Sequence, residues 1–307
     1  MTLHIFGSLN MDLVCQTPRL PVPGETILGT EFTTVPGGKG ANQAVAAARL
    51  GAAVRMVGRV GNDAFGQALI QSLQVEGIET GDVQIEAGVS SGVAAIAVDT
   101  SGRNHIIVIP GANGRVARSD VERLSARLAP DDTLLLQFEV PLPEVMAAAA
   151  TAQQQGVTVI VDPAPVRNDL PEAFYGLVDW LTPNQVEAEQ LVGFPVADQK
   201  SAAAAAKVLR QRGARAIVIK LGAEGVWVEA ADAAFPVPAF EVPVVDTVAA
   251  GDAFNGGLAV ALSEGVSLLE AARFATATAA LSVSQAGAQP SLPTRQAVEA
   301  LLAAHIG

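Results

Sequence analysis

Between residues 133 and 221, short apolar segments alternate with segments of helical periodicity, and this alternation restricts the fold more than any other feature. Strands are predicted at 133–137, 157–162, 180–182 and 216–221, and helices at 142–155, 185–191 and 201–212. Crossover connections between parallel strands are usually helical, so the pattern predicts a mostly parallel sheet covered by helices on both faces. We therefore expect an α/β fold of three layers (α/β/α), with the sheet in the middle.

The same periodicities extend this pattern towards both ends of the chain. Further strands are predicted at 3–8 and 53–60, a hairpin within 226–240, and helices at 41–50, 65–75, 250–264, 268–285 and 294–304. Two stretches, about 12–36 and 91–109, break the alternation because their short strands (26–35, 92–98 and 105–110) have no helix between them. We expect these stretches to form a small second sheet over the main one. No Pro/Ser-rich linker interrupts the chain, so residues 1–307 are predicted to form a single domain.

The charge of the chain limits its partners. A net charge of −12 argues against nucleic acid, because proteins that bind it need a basic face. An acidic protein that binds an anion must build a local positive site from backbone dipoles, a few cations or a metal ion. The N-terminal segment lacks the features of a signal peptide, and no apolar stretch reaches the ~20 residues of a membrane span. We therefore expect a cytoplasmic protein without a membrane partner, and Cys15, the single cysteine, as a small hydrophobic residue.

The segment DTVAAGDAFNG, residues 246–256, precedes a helix rich in alanine and leucine. Its small residues Ala249, Ala250 and Gly251 would let a ligand approach backbone N–H groups at a helix N-terminus, where an anion is favoured. Asp252 stands in the first turn, beside the position of such an anion. The alternative is an ordinary capping aspartate, but a cap does not require the preceding run of small residues.

A second glycine-rich segment is PGGKGANQ, residues 36–43. It is neither a Walker A loop nor a dinucleotide fingerprint, because Gly40 follows Lys39 and neither glycine spacing is present. It can be a simple glycine turn before a helix. Lys39 and Asn42 beside it favour a ligand rich in hydroxyl groups.

Two shorter motifs carry polar residues beside predicted strands. In TPNQVEAE, residues 182–189, Asn184 and Glu187 can form a capping box or hold a hydrated magnesium ion beside nucleotide phosphates. In GSLNMD, residues 7–12, Asn10 and Asp12 follow the first strand and can bind sugar hydroxyls in the crevice at its carboxyl end. They can equally be ordinary turn residues.

Together these motifs resemble the PfkB, or ribokinase-like, family of carbohydrate kinases over nearly the whole chain. The similar segments are GSLNMD, PGE at 23–25, GGKGANQAVAAARLG, TPNQVEAE, DTVAAGDAFNG and GAQPSLP, in the order found in the family. The resemblance implies the family's α/β/α fold, with the insertions at 12–36 and 91–109 as a β-sheet lid. It also implies a homodimer formed through that lid.

The resemblance assigns roles to particular residues. Asp252 would be the general base, and Ala249, Ala250 and Gly251 would form the anion hole for the phosphoryl group transferred from ATP. The sugar would be held by Asn10, Asp12, Gly38, Lys39, Asn42, Glu139 and Asp252. The nucleotide side of the site would comprise Asn184, Glu187, Lys220, Gly222, Gly225, Gly251 and Asn255. Glu187 would bind Mg²⁺ through water, and a monovalent cation such as K⁺ would bind at Asp246, Val248, Ser282, Gln285, Gly287 and Ser291.

The sequence departs from the family pattern at three positions. Lys220 stands where a smaller hydroxyl residue is frequent, Thr276 where a histidine often lies near adenine, and Gln285 where a basic residue is common. These departures concern contacts to the nucleotide and the cation.

The expected reaction is ATP-dependent phosphorylation of D-ribose at its 5-hydroxyl to give D-ribose 5-phosphate. Asn10 and Asp12 offer partners for adjacent ring hydroxyls, which favours ribose. The alternatives are another small sugar or a nucleoside, such as fructose, deoxyribose or adenosine. A non-catalytic sugar-binding regulator is a further alternative, but such a protein would be expected to have lost Asp252 or the small residues before it.

Overall fold

The computed structural model describes residues 1–305. The strands are β1 (Leu3–Phe6), β2 (Asn10–Thr17), β3 (Glu31–Gly37), β4 (Val54–Gly61), β5 (Glu79–Glu86), β6 (Gly92–Asp99), β7 (Asn104–Ile109), β8 (Thr133–Leu136), β9 (Thr158–Val161), β10 (Trp180–Leu181), β11 (Ala216–Lys220), β12 (Val226–Glu229) and β13 (Ala234–Val237). The helices are α1 (Lys39–Arg49), α2 (Ala64–Val75), α3 (Arg118–Ser125), α4 (Leu142–Gln154), α5 (Glu172–Tyr175), α6 (Gln185–Val192), α7 (Gln199–Gln211), α8 (Ala250–Ser263), α9 (Leu268–Val283) and α10 (Arg295–Ala304).

The central sheet has nine strands in the order β13-β12-β11-β10-β9-β8-β1-β4-β5. Every neighbouring pair from β11 across to β5 is parallel, whereas β12 runs antiparallel to both β11 and β13. The sheet is therefore mostly parallel, as predicted, with an antiparallel hairpin at one edge.

Helices cover both faces of this sheet, because its strands are apolar on both sides. In β8, Leu134 and Leu136 pack with the helices from α3 to α7, whereas Leu135 points to the other face and packs with α1, α2 and α8 to α10. Successive side chains of a strand point to opposite faces, so an uninterrupted apolar strand requires a helical layer on each side. The three-layer α/β/α expectation is confirmed.

A second sheet of four strands, in the order β3-β2-β6-β7, forms the predicted small sheet, and we call it the lid sheet. Strand β2 begins at Asn10, only four residues after β1 ends at Phe6, so the lid sheet starts close to the carboxyl end of this inner strand of the central sheet. The side chains from Ile106 to Ile109 on its edge strand β7 are exposed.

The structure corrects several element boundaries. The predicted strand at 26–35 lies instead at Glu31–Gly37, and the lid sheet starts at Asn10 rather than near residue 12, so Asn10 and Asp12 are strand residues and not turn residues. Strand β5 and helices α3 and α5 were not predicted. Strand β5 is an edge strand of mixed polarity, and α3 buries only one turn-spaced pair of apolar side chains, so neither carries a strong apolar pattern. No helix within residues 1–305 combines the length and apolar character needed to cross a bilayer.

Candidate active site

Polar residues that end the parallel strands lie together at one edge of the central sheet. Ser8 follows β1, Gln137 follows β8, Asp162 follows β9, Thr182 follows β10, and Lys220 ends β11. Ligands bind open α/β sheets at this carboxyl edge. A cavity of about 390 Å³ opens here, and its lining includes Lys39, Asn184, Glu187, Lys220, Gly251 and Asp252. Three motifs that are far apart in the sequence therefore converge on one cavity.

Asp252 lies in the first turn of α8 but does not cap that helix. Its carboxylate accepts hydrogen bonds from Asn42 Nδ2 at 2.9 Å and from Gln43 Nε2 at 3.0 Å, both on α1. The residue is only 5 % exposed. Since its partners belong to another helix, the capping alternative left open by the sequence does not apply.

The backbone before Asp252 leaves N–H groups free at the helix N-terminus. Ala249 adopts the left-handed region with φ 60°, a conformation that costs a residue with a Cβ about 1–2 kcal/mol. Among residues 1–305, the N–H groups of Gly251 and Asp252 donate to no protein acceptor. Free donors and the helix dipole together make this turn suited to an anion.

Three buried residues that were not assigned a role hold Asp252 in place. Gln137 Nε2 donates to Gln43 Oε1 at 2.6 Å, which fixes the orientation of the Gln43 amide. Gln43 Nε2 then donates to both Asp252 and Asp162, each at 3.0 Å. Polar residues at the carboxyl end of a buried strand are expected in the ligand crevice, as argued for Asn10 and Asp12 after the first strand. Gln137 and Asp162 stand directly after strands β8 and β9, so the same criterion identifies them. Gln43 lies inside a motif that had been recognised.

Burial and neighbouring charges set the protonation of the site. Burial raises the pKa of Asp252 to about 6, although Lys39 opposes this effect. Burial disfavours the charge of Lys39, but Asp252, Asp162, Glu139 and Glu187 together raise its pKa. Lys39, the first residue of α1, thus remains a cation among carboxylates.

Several residues predicted to hold a sugar form a hydrogen-bonded polar cluster where the lid sheet begins. Glu139 Oε2 accepts hydrogen bonds from Ser8 Oγ at 2.5 Å, from the Lys39 backbone N–H at 3.2 Å and from Asn10 Nδ2 at 3.4 Å. Burial, followed by the charges of Glu139 and Asp252, raises the pKa of Asp12 to about 7. These three carboxylates therefore lie close enough for their charges to interact.

Two further observations concern the asparagine side chains of this cluster. Asn42 gives its Nδ2 to Asp252, while its buried Oδ1 has no partner within residues 1–305. Asn113, which was not predicted, accepts from the Leu9 N–H and donates to Asn10 Oδ1 at 2.8 Å, and so orients the Asn10 amide. An unpaired buried acceptor is costly unless a ligand supplies a donor.

Gly38 explains why the second glycine-rich segment has its form. It precedes α1 with φ 90°, and a Cβ at this position would lie 2.7 Å from the Asn10 backbone nitrogen. Only glycine fits both restrictions. The start of α1 can therefore pack directly against the backbone of Leu9 and Asn10.

Asn184 and Glu187 form the capping box that was one of their two interpretations. Asn184 Oδ1 accepts from the Glu187 N–H at 2.9 Å, and Glu187 Oε2 accepts from the Asn184 N–H at 2.8 Å. Both residues also line the cavity beside Asp252. Burial raises the pKa of Glu187, while the charge of Lys220 opposes that rise. The two interpretations are therefore compatible.

A larger cleft of about 780 Å³ adjoins this cavity. Lys220, Gly222 and Gly251 line both spaces, and Gly225 and Thr276 line the cleft alone. Apolar side chains such as Phe254 and Val283 form much of the remaining wall. Asn255, by contrast, is fully buried and accepts a hydrogen bond from Thr182 Oγ1 at 2.6 Å, so it does not line the cleft.

The residues predicted for a monovalent cation lie in two neighbouring segments, the loop before α8 and the stretch from Ser282, at the end of α9, to Ser291. Asp246 accepts hydrogen bonds from the backbone N–H groups of Val248 at 3.0 Å and Gly287 at 2.9 Å. The hydroxyl groups of Ser282 and Ser291 lie 2.9 Å apart. Gln285 is exposed. The Asp246–Gly287 contact joins the two segments, which together offer the oxygen donors that hard cations require.

A family model described as "pfkB family carbohydrate kinase" matches residues 2–295. A ribokinase of Haemophilus influenzae is 43% identical over 295 residues, covering 96% of each chain. A deoxyribokinase of Salmonella typhimurium is 37% identical over 294 residues, again covering 96% of each. The solved structure of an Arabidopsis thaliana ribokinase complexed with ribose and ATP superposes with a TM-score of 0.89 at 32% identity, covering 98% of both chains. This chain belongs to the pfkB family of carbohydrate kinases.

Proposed function

We propose that this protein transfers the γ-phosphoryl group of ATP to the 5-hydroxyl of D-ribose, with Asp252 as the general base. The observation that carries the proposal is the position of the Asp252 carboxylate. It accepts from Asn42, whose buried Oδ1 has no partner within residues 1–305, and it stands in the helix turn where the N–H groups of Gly251 and Asp252 donate to no protein acceptor in that range. The ribokinases among its relatives, including one solved with ribose and ATP, support ribose as the sugar.

In the proposed mechanism, Asp252 accepts the proton of the sugar 5-hydroxyl as its oxygen attacks the γ-phosphorus. Asn42 and Gln43 hold the carboxylate in place, and its pKa of about 6 keeps it mostly ionised at neutral pH. The N–H groups of Gly251 and Asp252 stabilise the charge that gathers on the transferring phosphoryl oxygens. Catalysis of this reaction depends mainly on such positioning and electrostatic stabilisation.

Sugar selection would rest on a pocket formed at the polar cluster where the lid sheet begins. Asn10, Asp12 and Glu139 supply acceptors and donors for adjacent ring hydroxyls, while Asn42 Oδ1 accepts from one more hydroxyl. Gly38 and Lys39 close the pocket at the start of α1. A site that pairs a hydroxyl discriminates strongly against a sugar that lacks it. Deoxyribose, the substrate named for the Salmonella relative, lacks one of these groups and is the main alternative.

Two cations are part of the proposal. No cluster of three metal-binding side chains occurs within residues 1–305, so Mg²⁺ would be held largely by water and ATP phosphates. Glu187, with Asn184 beside it, would bind that hydrated ion, which neutralises phosphate charge. A monovalent cation such as K⁺ would bind oxygen atoms of Asp246 and Val248, of Ser282 at the end of α9, and of Gln285, Gly287 and Ser291 after that helix. It would stabilise the loop that leads into the anion hole.

We also propose a homodimer formed through the lid sheet. The side chains from Ile106 to Ile109 are 43–66 % exposed on the edge strand β7, and Phe32 on β3 is 60 % exposed. An apolar edge strand is a template for pairing with another chain. Analytical ultracentrifugation of wild type and Ile107→Lys tests this: the variant should be a monomer, and an unchanged sedimentation coefficient would contradict the proposed interface.

A substrate panel tests the proposed function. We expect ATP consumption with ribose to have the highest kcat/KM among ribose, deoxyribose, fructose and adenosine, and to increase when K⁺ replaces a large organic cation. A higher kcat/KM for deoxyribose, fructose or adenosine would overturn ribose as the substrate. Sugar binding without phosphate transfer would instead favour a regulator.

A further inference from the structure

Lys220 lies at the junction of the two cavities. It ends β11, and its side chain is one of those that line both the cavity beside Asp252 and the adjoining cleft. Among residues 1–305, Lys39 and Lys220 are the lysines that line these spaces, so their ammonium groups supply positive charge to the site. Lys39 lies at the start of α1, on the sugar side, whereas Lys220 lies on the other side of the anion hole.

The ammonium group of Lys220 is held in a defined place. Its Nζ donates to Asp162 Oδ1 at 3.0 Å, and the side chain is only 13 % exposed. Asp162 is itself fixed, because its other oxygen accepts from Gln43 Nε2 at 3.0 Å. A Cβ placed on Gly251 would lie 3.4 Å from Lys220 Nζ. The ammonium therefore lies directly beside the free N–H groups at the start of α8.

An ammonium group has three donors, and within residues 1–305 Lys220 uses one of them, on Asp162. The remaining donors lie where the phosphoryl group must pass if the proposed function is correct. We propose that Lys220 is a further catalytic residue, which binds the bridging oxygen of ATP and stabilises it as it leaves. This inference rests on the proposed function.

The bond from the sugar oxygen to the γ-phosphorus forms, the bond from that phosphorus to the bridging oxygen breaks, and the sugar proton goes to Asp252. The bridging oxygen departs with ADP and takes up negative charge. Lys220 offsets that charge while Asp162 keeps the ammonium in position. A preformed donor at the site of developing charge acts mainly on the transition state.

A purely structural role for Lys220 makes a different prediction. Asp162 is 1 % exposed, and a buried carboxylate needs a partner. In the structural alternative, neutralising Asp162 is the whole role of Lys220. In that case, removing the carboxylate removes the main need for the lysine, because Glu187, the other carboxylate that its charge affects, also accepts from the Asn184 N–H. The single variant Lys220→Met does not separate the two roles, because it leaves Asp162 buried without its cation and can fail to fold.

The test therefore compares the double variant D162N/K220M with D162N, since these two proteins differ only at residue 220 and neither contains the buried carboxylate. We expect kcat to be about 100-fold lower in the double variant, which is about 2.7 kcal/mol at 1.36 kcal/mol per factor of ten. The KM for ATP should change much less than kcat, because the contact forms mainly in the transition state. K207M, at an exposed position on α7, is the matched control and should keep the wild-type kcat.

The outcomes are distinct. A double variant as fast as D162N, with both folded by circular dichroism and thermal unfolding, overturns the catalytic role and supports simple neutralisation. A lower kcat in the double variant, with wild-type behaviour of K207M, supports the inference. A wild-type protein that transfers no phosphoryl group to any sugar overturns the proposed function, and this inference with it.

Discussion

Replacing Asp252 by asparagine should make the protein more stable while removing most of its activity. Burial raises the pKa of Asp252 from 3.8 to about 6, so the folded state favours the protonated carboxyl. The stabilisation that comes from this preference is fully present below about pH 4 and is lost as the pH rises through about 6. At pH 7.5 the ionised group thus costs about 3 kcal/mol, from 1.36 kcal/mol for each pH unit between the two pKa values.

Asparagine resembles the protonated aspartate in shape and carries no charge. We expect the free energy of unfolding of Asp252→Asn at pH 7.5 to rise by about 1–3 kcal/mol, since one amide donor must adjust to Asn42 and Gln43. Loss of a general base should lower kcat by about 100-fold or more. Denaturant unfolding measures the change in stability, and an assay of sugar-dependent ADP formation measures the change in kcat. A kcat within tenfold of wild type would refute the role as base, and a less stable variant would refute the electrostatic reasoning.

Two further predictions follow from the site. The value of kcat/KM should fall about tenfold for each pH unit below about pH 6, because the base must be ionised and the pKa of Asp252 is about 6. Equal values of kcat/KM at pH 7 and pH 5 would contradict this prediction. Gly38→Ala should lower the free energy of unfolding by about 2 kcal/mol or more and raise the KM for the sugar, because the new Cβ would lie 2.7 Å from the Asn10 nitrogen. Gly24→Ala is the control, because Gly24 has a similar φ of 82° but a Cβ there would have no atom within 4 Å. This variant should lose only the cost of the left-handed backbone, about 1 kcal/mol of the free energy of unfolding. Equal losses of unfolding free energy in both variants would show that the close contact is unimportant.

The sequence predicted the central layers of the fold well, because their strands are buried on both faces and read as continuous apolar runs. Strand β8, with Leu134, Leu135 and Leu136 fully buried, is one example. Strand β5 escaped prediction because it lies at the edge of the sheet and buries only its Val83 and Asp82 side chains. Patterns of hydrophobicity report burial, and edge strands have little of it.

The site could be predicted only in part. The motifs identified Asp252, Asn42 and Gly38, but the contacts that orient Asp252 depend on Gln137, which lies 94 residues from its partner Gln43. The Lys220–Asp162 pair likewise joins residues 58 apart in the sequence, across the ends of β9 and β11. Asn255 was expected at the nucleotide, but the first turns of α8 are buried on all sides, so helical periodicity gave no sign of the face on which it lies.

The most direct test of the account is the structure of the product formed from ATP and D-ribose. After complete reaction, the phosphomonoester signal in ³¹P NMR should be split by coupling to two protons, as expected for a phosphate on the C5 methylene group. One ADP should be formed per product molecule. Asp252→Asn, at the same protein concentration, should form at least about 100-fold less product per unit time. Phosphate attached to a carbon that bears a single proton, or ADP formed without any sugar phosphate, would contradict the central claim.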